Sequence, residues 1–368
     1  MRSLRLIAAL VASCFILATG PAQSAGLASA DDTARFIAGM RPSDDSPLMP
    51  MTKDRGWQQH AGALDKAFAA IEKSQLTPIG EWVKENLKSP QPAVFYMFSG
   101  PDFLYANAFF PDATTYVLSG LEPVGEIPDL LKAHYRGAVP GLGHLQNSMR
   151  TLLSISFFIT KEMRENLGES GLRGTLPILY VFLARSGKQI RDLTLVNIDE
   201  QGELRPETGR KIKSAAHGVK IVFTSADKHE RTLYYFTTDL SNGAVKNSGF
   251  LKFCEKLGNA DSFVKSASYL MHKNNFSQIR EFLLERSAAI LQDDSGIPLR
   301  YFDAQKWTLH PFGRYLGPIE IFPEGHQDKI RELFKKGSPG KLNFGFGYRW
   351  RPGESNLLLA VKGDDKRP

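Results

Sequence analysis

Two polar clusters about twenty residues apart carry the residue types that could do chemistry in this chain. Ser99-Gly100-Pro101-Asp102 interrupts the apolar run Ala93–Phe98, and Glu122 closes a second apolar run, Thr115–Leu121. The first cluster has the pattern of a helix cap. Ser99 as N-cap, Pro101 in the first turn and Asp102 at the third helical position would together satisfy free helix N–H groups. A cap at the end of a strand also lies where small molecules bind in open α/β sheets. Asp102 and Glu122 are therefore the candidate catalytic acids, with Ser99 and Gly100 as candidate ligand contacts. Three further segments mix basic and aromatic groups: Tyr135-Arg136, His310-Pro311-Phe312-Gly313-Arg314-Tyr315 and Tyr348-Arg349-Trp350-Arg351. Arginine beside aromatic rings suits a small anionic or sugar-like ligand. This adds Arg314 to the catalytic candidates, and Tyr315 and Trp350 to the ligand-binding ones.

Residues 93–122 as a unit, strand–turn–helix–strand, resemble the opening of a Rossmann fold and also the opening of class I methyltransferases. The resemblance implies a ligand at a helix N-terminus after the first strand, and an acid about 20 residues on that binds a ribose. Gly100 and Glu122 have that separation. The turn departs from those families in carrying Gly100 alone, followed by a proline, where they carry several glycines. Over its whole length the chain resembles the exported α/β proteins of bacteria that have no assigned activity.

Other chemistry is not written in the sequence. The eight histidines are scattered without HExxH or His-x-His spacing, so no metal site is expected. Asp293-Asp294-Ser295 lacks the acidic spacing of a calcium loop and reads as a turn. Gly-x-Ser-x-Gly and the phosphate-binding P-loop pattern are absent. Ser262-x-x-Lys265 fits a Ser–Lys nucleophile motif, but Ser225-x-x-Lys228 fits it as well and no Lys-Thr-Gly accompanies them. Cys254, flanked by Phe253 and followed by Leu257, reads as a buried thiol. No cofactor is expected.

The elements that would position these groups follow from periodicity. Trp57, Ala61, Leu64, Phe68 and Ile71 step by four and three, an amphipathic helix reaching Gln75. A second helix starts at Thr77-Pro78, making residues 31–90 largely helical. Glu126–Arg136 and Leu145–Leu167 read as helices, and the apolar Leu176–Ala184 reads as a buried strand in a hairpin with Ile190–Ile198. Val219–Thr224 and Arg231–Thr237 form another hairpin around Ala226-Asp227-Lys228. Asp261 is placed as the cap of a helix over Ser262–His272, and Ser277 as the cap of one reaching Ala289. Ile297–Phe302 reads as a strand, and Leu342–Trp350 with Asn356–Val361 as a closing hairpin. The expected class is α/β, or α+β: a mixed central sheet flanked by helices, with antiparallel hairpins in the middle and at the C-terminus.

Arg2 and Arg5 before the apolar stretch Leu6–Ala18, then small residues, make a secretory signal peptide over residues 1–30, cleaved after Ser24 or Ala30. Residues 31–368 then form a single domain, periplasmic or secreted. The apolar stretch continues past Cys14, which argues against a lipoprotein, and no transmembrane segment is expected elsewhere. Loss of Arg2 and Arg5 takes the net charge from +7 to +5. That charge is spread along the chain and gives no nucleic-acid footprint. Nothing in the sequence fixes an oligomeric state. The function expected is non-catalytic binding of a ligand or of the cell envelope. The alternative is a small-molecule enzyme with its site at the Ser99–Glu122 strand ends.

Overall fold

A computed structural model describes residues 28–134, 138–155, 172–208 and 216–363. Residues 1–27 of the signal peptide expected over 1–30, Tyr135, Arg136 and the second half of the helix expected over Leu145–Leu167 lie outside the described residues. Ten strands share one sheet: β1 (Ala93–Tyr96), β2 (Thr115–Gly120), β3 (Gln189–Ile198), β4 (Leu204–Pro206), β5 (Ala216–Thr224), β6 (Glu230–Thr237), β7 (Ala260–Val264), β8 (Ser287–Gln292), β9 (Trp307–Gly313) and β10 (Asn356–Lys362). Their spatial order is β4-β3-β5-β6-β2-β1-β7-β8-β10-β9. The five central strands, β6-β2-β1-β7-β8, are mutually parallel. The flanking strands at each end run antiparallel to their neighbours. This is the mixed α/β sheet the sequence implies, with antiparallel strands in the middle of the chain and at its C-terminus.

Ranked by chain position, the parallel strands lie in the order third-second-first-fourth-fifth, the doubly wound order. The chain leaves β1 toward β2 on one side and returns much later to add β7 on the other. A crevice therefore opens between the outgoing connections at the carboxyl ends of β1 and β7.

Strand parity splits the interior into two cores. Val94, Tyr96, Tyr116 and Leu118 face the helices Arg55–Ile71, Thr77–Asn86, Phe103–Phe109 and Leu176–Arg185. Ala93, Phe95 and Val117 face the opposite way, onto Phe250–Lys256 and Ser277–Arg286. Strands covered on both faces read as continuous apolar runs rather than alternating ones, as Ala93–Tyr96 does. The N-terminal part carries the helices Ala30–Ile37, Arg55–Ile71 and Thr77–Asn86. Asp54 caps the second by accepting the Gly56 and Trp57 N–H groups at 2.8 and 3.1 Å.

Several expectations are corrected. Leu176–Arg185 is a helix with Pro177 in its first turn, not a strand, and β3 pairs instead with β5. Ser262 belongs to strand β7, not to a helix capped by Asp261. The buried Asp261 carboxylate instead accepts the Gln91 and Ala289 N–H groups at 2.8 and 3.0 Å, tying the approach to β1 to strand β8. The helix from Ser277 ends at Arg286 and passes directly into β8. Residues 297–302 form a turn and a short 3-10 helix rather than a strand. The closing partner of β10 is β9, while Leu342–Trp350 holds a single isolated bridge, between Phe346 and Arg349.

Candidate functional site

The crevice at the switch point is a cavity of about 220 Å³, walled by the loops leaving β1, β2, β6 and β7. The loop after β1 is built first. Phe98 takes φ +60 and Gly100 φ +55. The turn is pinned sideways to β2: Gly100 N–H donates to the Ser119 carbonyl at 3.1 Å, and the Ser99 hydroxyl accepts the Ser119 N–H at 3.2 Å. Ser99 is thus a staple between two strand ends, not the helix cap.

The cap of helix Phe103–Phe109 is Asp102, one turn later than the sequence pattern places it. Its Oδ1 accepts the Tyr105 N–H at 3.2 Å. Its Oδ2 accepts the Tyr96 hydroxyl at 2.8 Å and lies 2.7 Å from Lys265 Nζ. Both members of this ion pair are buried, with side chains 1 and 2 % exposed, so neither exchanges partners freely with water. The Lys265 ammonium also lies 3.6 Å from the centroid of the Tyr105 ring. Burial pulls the Lys265 pKa down, and the Asp102 and Asp293 carboxylates oppose it. Burial, then the charge and hydrogen bond of Asp102, push the Tyr96 phenol far above its usual range.

Glu122 sits across the cavity at the exit of β2, only 3 % exposed. Its backbone carbonyl accepts the Tyr235 and Thr237 hydroxyls, each at 2.8 Å, which fixes it against β6. Its carboxylate lies over Gly120. A Cβ there would collide with that oxygen and come within 3.0 Å of Gly100 Cα and of the Tyr235 hydroxyl. Gly120 is therefore required by close approach, not by its backbone angle.

The third wall follows β7. Ser266, Ser268 and Tyr269 take φ +52, +50 and +54. Each non-glycine residue in this region costs ~1–3 kcal/mol and persists only where its surroundings impose it. Here they do so in detail. Asp293 Oδ2 accepts the Ser266 N–H at 3.1 Å and the Tyr348 N–H at 3.4 Å. The Tyr348 hydroxyl accepts the Ser268 N–H at 3.1 Å, and its ring stacks on Tyr269 with centroids 6.2 Å apart. Tyr269 donates to Asp294 Oδ2 at 2.7 Å. Burial, then the neighbouring Asp294 charge, raise the Asp293 pKa to about 7. The hydroxyl oxygen of Ser266, on the cavity wall, is buried and has no hydrogen-bond partner.

Four of the residues singled out by the sequence meet in this cavity: Ser99, Gly100, Asp102 and Glu122. Arg314, Tyr315 and Trp350 do not line it. Arg314 leaves β9 with its N–H on the Ser355 carbonyl at 2.7 Å, and Tyr315 packs against Phe334 and His326. The Trp350 ring lies 5.0 Å from the Arg351 guanidinium. From that aromatic and basic segment it is Tyr348 that reaches the cavity. The sequence reading missed Phe98, Ser266 and Asp239, and noticed Lys265 only through the Ser262-x-x-Lys265 spacing. Ser262 lies within β7 and Lys265 just beyond its end, and the two have separate partners: the Ser262 hydroxyl lies 2.6 Å from that of Ser287, and Lys265 Nζ 2.7 Å from Asp102. Asp293 and Asp294, read as a turn, carry the wall of the cavity.

Among the described residues no three His, Cys, Asp or Glu side chains come together as a metal-ligand set, and no helix is long and apolar enough to cross a membrane. Cys254 is buried and its thiol is pushed far above its usual range by that burial, so it stays protonated and inert. In comparisons with protein-family models, curated proteins and solved structures, no family, protein or structure matches the chain.

Proposed function

We propose that this chain is an exported, periplasmic or secreted protein that binds a small hydroxylated molecule, sugar-like or ribose-like, in the cavity between β1 and β7. The observation that carries the proposal is the convergence of Phe98, Ser266 and Ser268, three non-glycine residues with left-handed backbones, on one cavity at the switch point. Strain of this kind concentrates where a backbone is shaped to a ligand. The doubly wound strand order supports the same location. In this reading Glu122, at the end of the second strand, accepts the ligand's hydroxyl groups; its place on the cavity lining supports that role.

Binding is favoured over catalysis by the state of Asp102. Both of its oxygens are engaged, by the Tyr105 N–H and by Tyr96 with Lys265, and it is buried in the cavity floor. It holds the floor together and leaves no reactive atom to a substrate.

The test is a thermal-shift screen of the mature chain, residues 31–368, against sugars, amino sugars and nucleosides, repeated on Leu270→Trp. Leu270 lines the cavity from a half-exposed position, so the larger ring occludes it with little cost to the core. A ligand at one hundred times its Kd stabilises by ~2.7 kcal/mol, a shift of a few degrees. Shifts in the parent that vanish in Leu270→Trp are expected. Shifts that persist in the variant would place the binding elsewhere, and none in either protein would end the proposal.

A further inference from the structure

The charge of the cavity runs against the charge of the chain. The protein carries a net +7, yet three acids, Asp102, Glu122 and Asp239, line the cavity with Lys265 as the sole cation among its described lining residues. The Lys265 ammonium is already engaged at 2.7 Å by Asp102. Among the described lining residues, no lysine, arginine or histidine other than Lys265 stands with the two acids beyond that pair, Glu122 and Asp239. Glu122 lies deep in the cavity and Asp239 at its exposed rim, where its Oδ1 accepts the Ser241 N–H at 2.8 Å. Two more carboxyl groups, Asp293 and Asp294, stand directly behind the β7 wall.

Two observations independent of charge point to an occupant here. The Ser266 hydroxyl is buried on the wall with no partner, and a buried polar group left unpaired is costly unless something fills its hydrogen bond. Phe98 and Phe276 stand edge to face on the wall at 5.9 Å, offering ring surfaces that attract a cation or the C–H face of a sugar.

We infer that the ligand of this cavity is a hydroxylated amine, its ammonium held between Glu122 and Asp239 and its hydroxyl groups met by Ser266 and the loop carbonyls. This rests on the binding function proposed above and narrows it. The anionic ligand that the arginine-bearing segments suggest is disfavoured, because no arginine, Arg314 included, is among the described residues that line the cavity, and the acids there would repel it.

The experiment uses two matched series on the intact mature chain, measured by titration calorimetry at pH 7 and low salt. One is glucosamine, glucose and glucuronic acid; the other is 5′-amino-5′-deoxyadenosine, adenosine and its 5′-monophosphate. In whichever series binds, the amine should bind at least tenfold tighter than the neutral member, and the anion weakest. The preference should shrink as salt is raised. Glu122→Gln, checked for folding by circular dichroism, should cut the preference for the amine over the neutral member to within threefold. An anion that binds tightest, or an amine preference that survives both Glu122→Gln and Asp239→Asn, overturns the inference and leaves the binding function standing. Silence across both series and in the thermal-shift screen overturns the binding function as well.

Discussion

Lys265→Met removes one half of a fully buried ion pair, and its cost can be worked out from the contacts. The Asp102 carboxylate would remain with the Tyr96 hydroxyl and the Tyr105 N–H but without its countercharge, in a site 2 % exposed. Stranding a buried charge costs ~3–5 kcal/mol, more than the pair itself contributes. Unfolding entropy near Tm is ~2.1 cal/mol/K per residue. For the 368 residues of the chain that is ~0.8 kcal/mol per kelvin, so Tm should fall by ~4–6 °C. The double variant Lys265→Met/Asp102→Asn removes both charges while asparagine keeps a good N-cap, and it should recover at least ~2 kcal/mol of the loss. Urea unfolding followed by far-ultraviolet circular dichroism gives the numbers, compared at constant m-value. The cycle isolates the coupling between the two side chains. A loss below ~1 kcal/mol in Lys265→Met would refute the account of a buried, tightly coupled pair, and so would additive losses in the double variant.

Ser266→Gly should stabilise the protein by up to ~1 kcal/mol, since glycine adopts φ +52 without strain, and should weaken ligand binding by removing the unpartnered hydroxyl; a destabilised variant that binds as before would contradict both parts. Gly120→Ala should cost ~1–3 kcal/mol and abolish binding, because the added methyl displaces the Glu122 carboxylate, and full affinity in calorimetry would show that the carboxylate can move. His272 is kept neutral in the fold, its pKa lowered to about 4 by burial first and by the nearby Arg300 charge second. The unfolded chain takes up that proton near pH 6.5, so the fold loses stability as pH falls from about 6.5 to 4. His272→Gln should flatten this part of the pH–Tm profile, and an unchanged slope would remove His272 as its cause.

What could be read from the sequence was local. Strand β1, its turn, the helix Phe103–Phe109 and strand β2 occupy thirty consecutive residues, so apolar runs and turn residues sufficed to bring Gly100 and Glu122 together. Lys265 reaches Asp102 across more than 160 positions, and no local pattern marks that pairing. Leu176–Arg185 was opaque for a different reason. Buried on all sides, it has no amphipathic period to separate helix from strand, and Pro177 in its first turn was the one usable signal. Asp261 misled because a capping residue and a carboxylate buried between strands have the same identity; only the backbone donors of Gln91 and Ala289 distinguish them. Strand β8, Ser-Ala-Ala-Ile-Leu-Gln, is short and alanine-rich and continues a helix without a break, so its change of conformation is set by the sheet, not by propensity. Arg314 and Trp350 had the right chemistry, but β9 lies at the far edge of the sheet.

The position of β1 between β2 and β7 also sets an order of assembly. Residues 93–237 contain every strand on one side of the switch point, so β6-β2-β1 can pair while the later segments are still unstructured. Strand β7 can dock only after the chain has returned across some 160 residues, and closing so long a loop makes it a late and slow step. Until then Val94 and Phe95 present an open edge, Asp102 lacks its lysine, and the cavity lacks the wall that follows β7. A chain that crosses a membrane unfolded and completes its sheet afterwards would therefore acquire its ligand site in the last stage of folding, so that binding would report a finished molecule rather than help to build one.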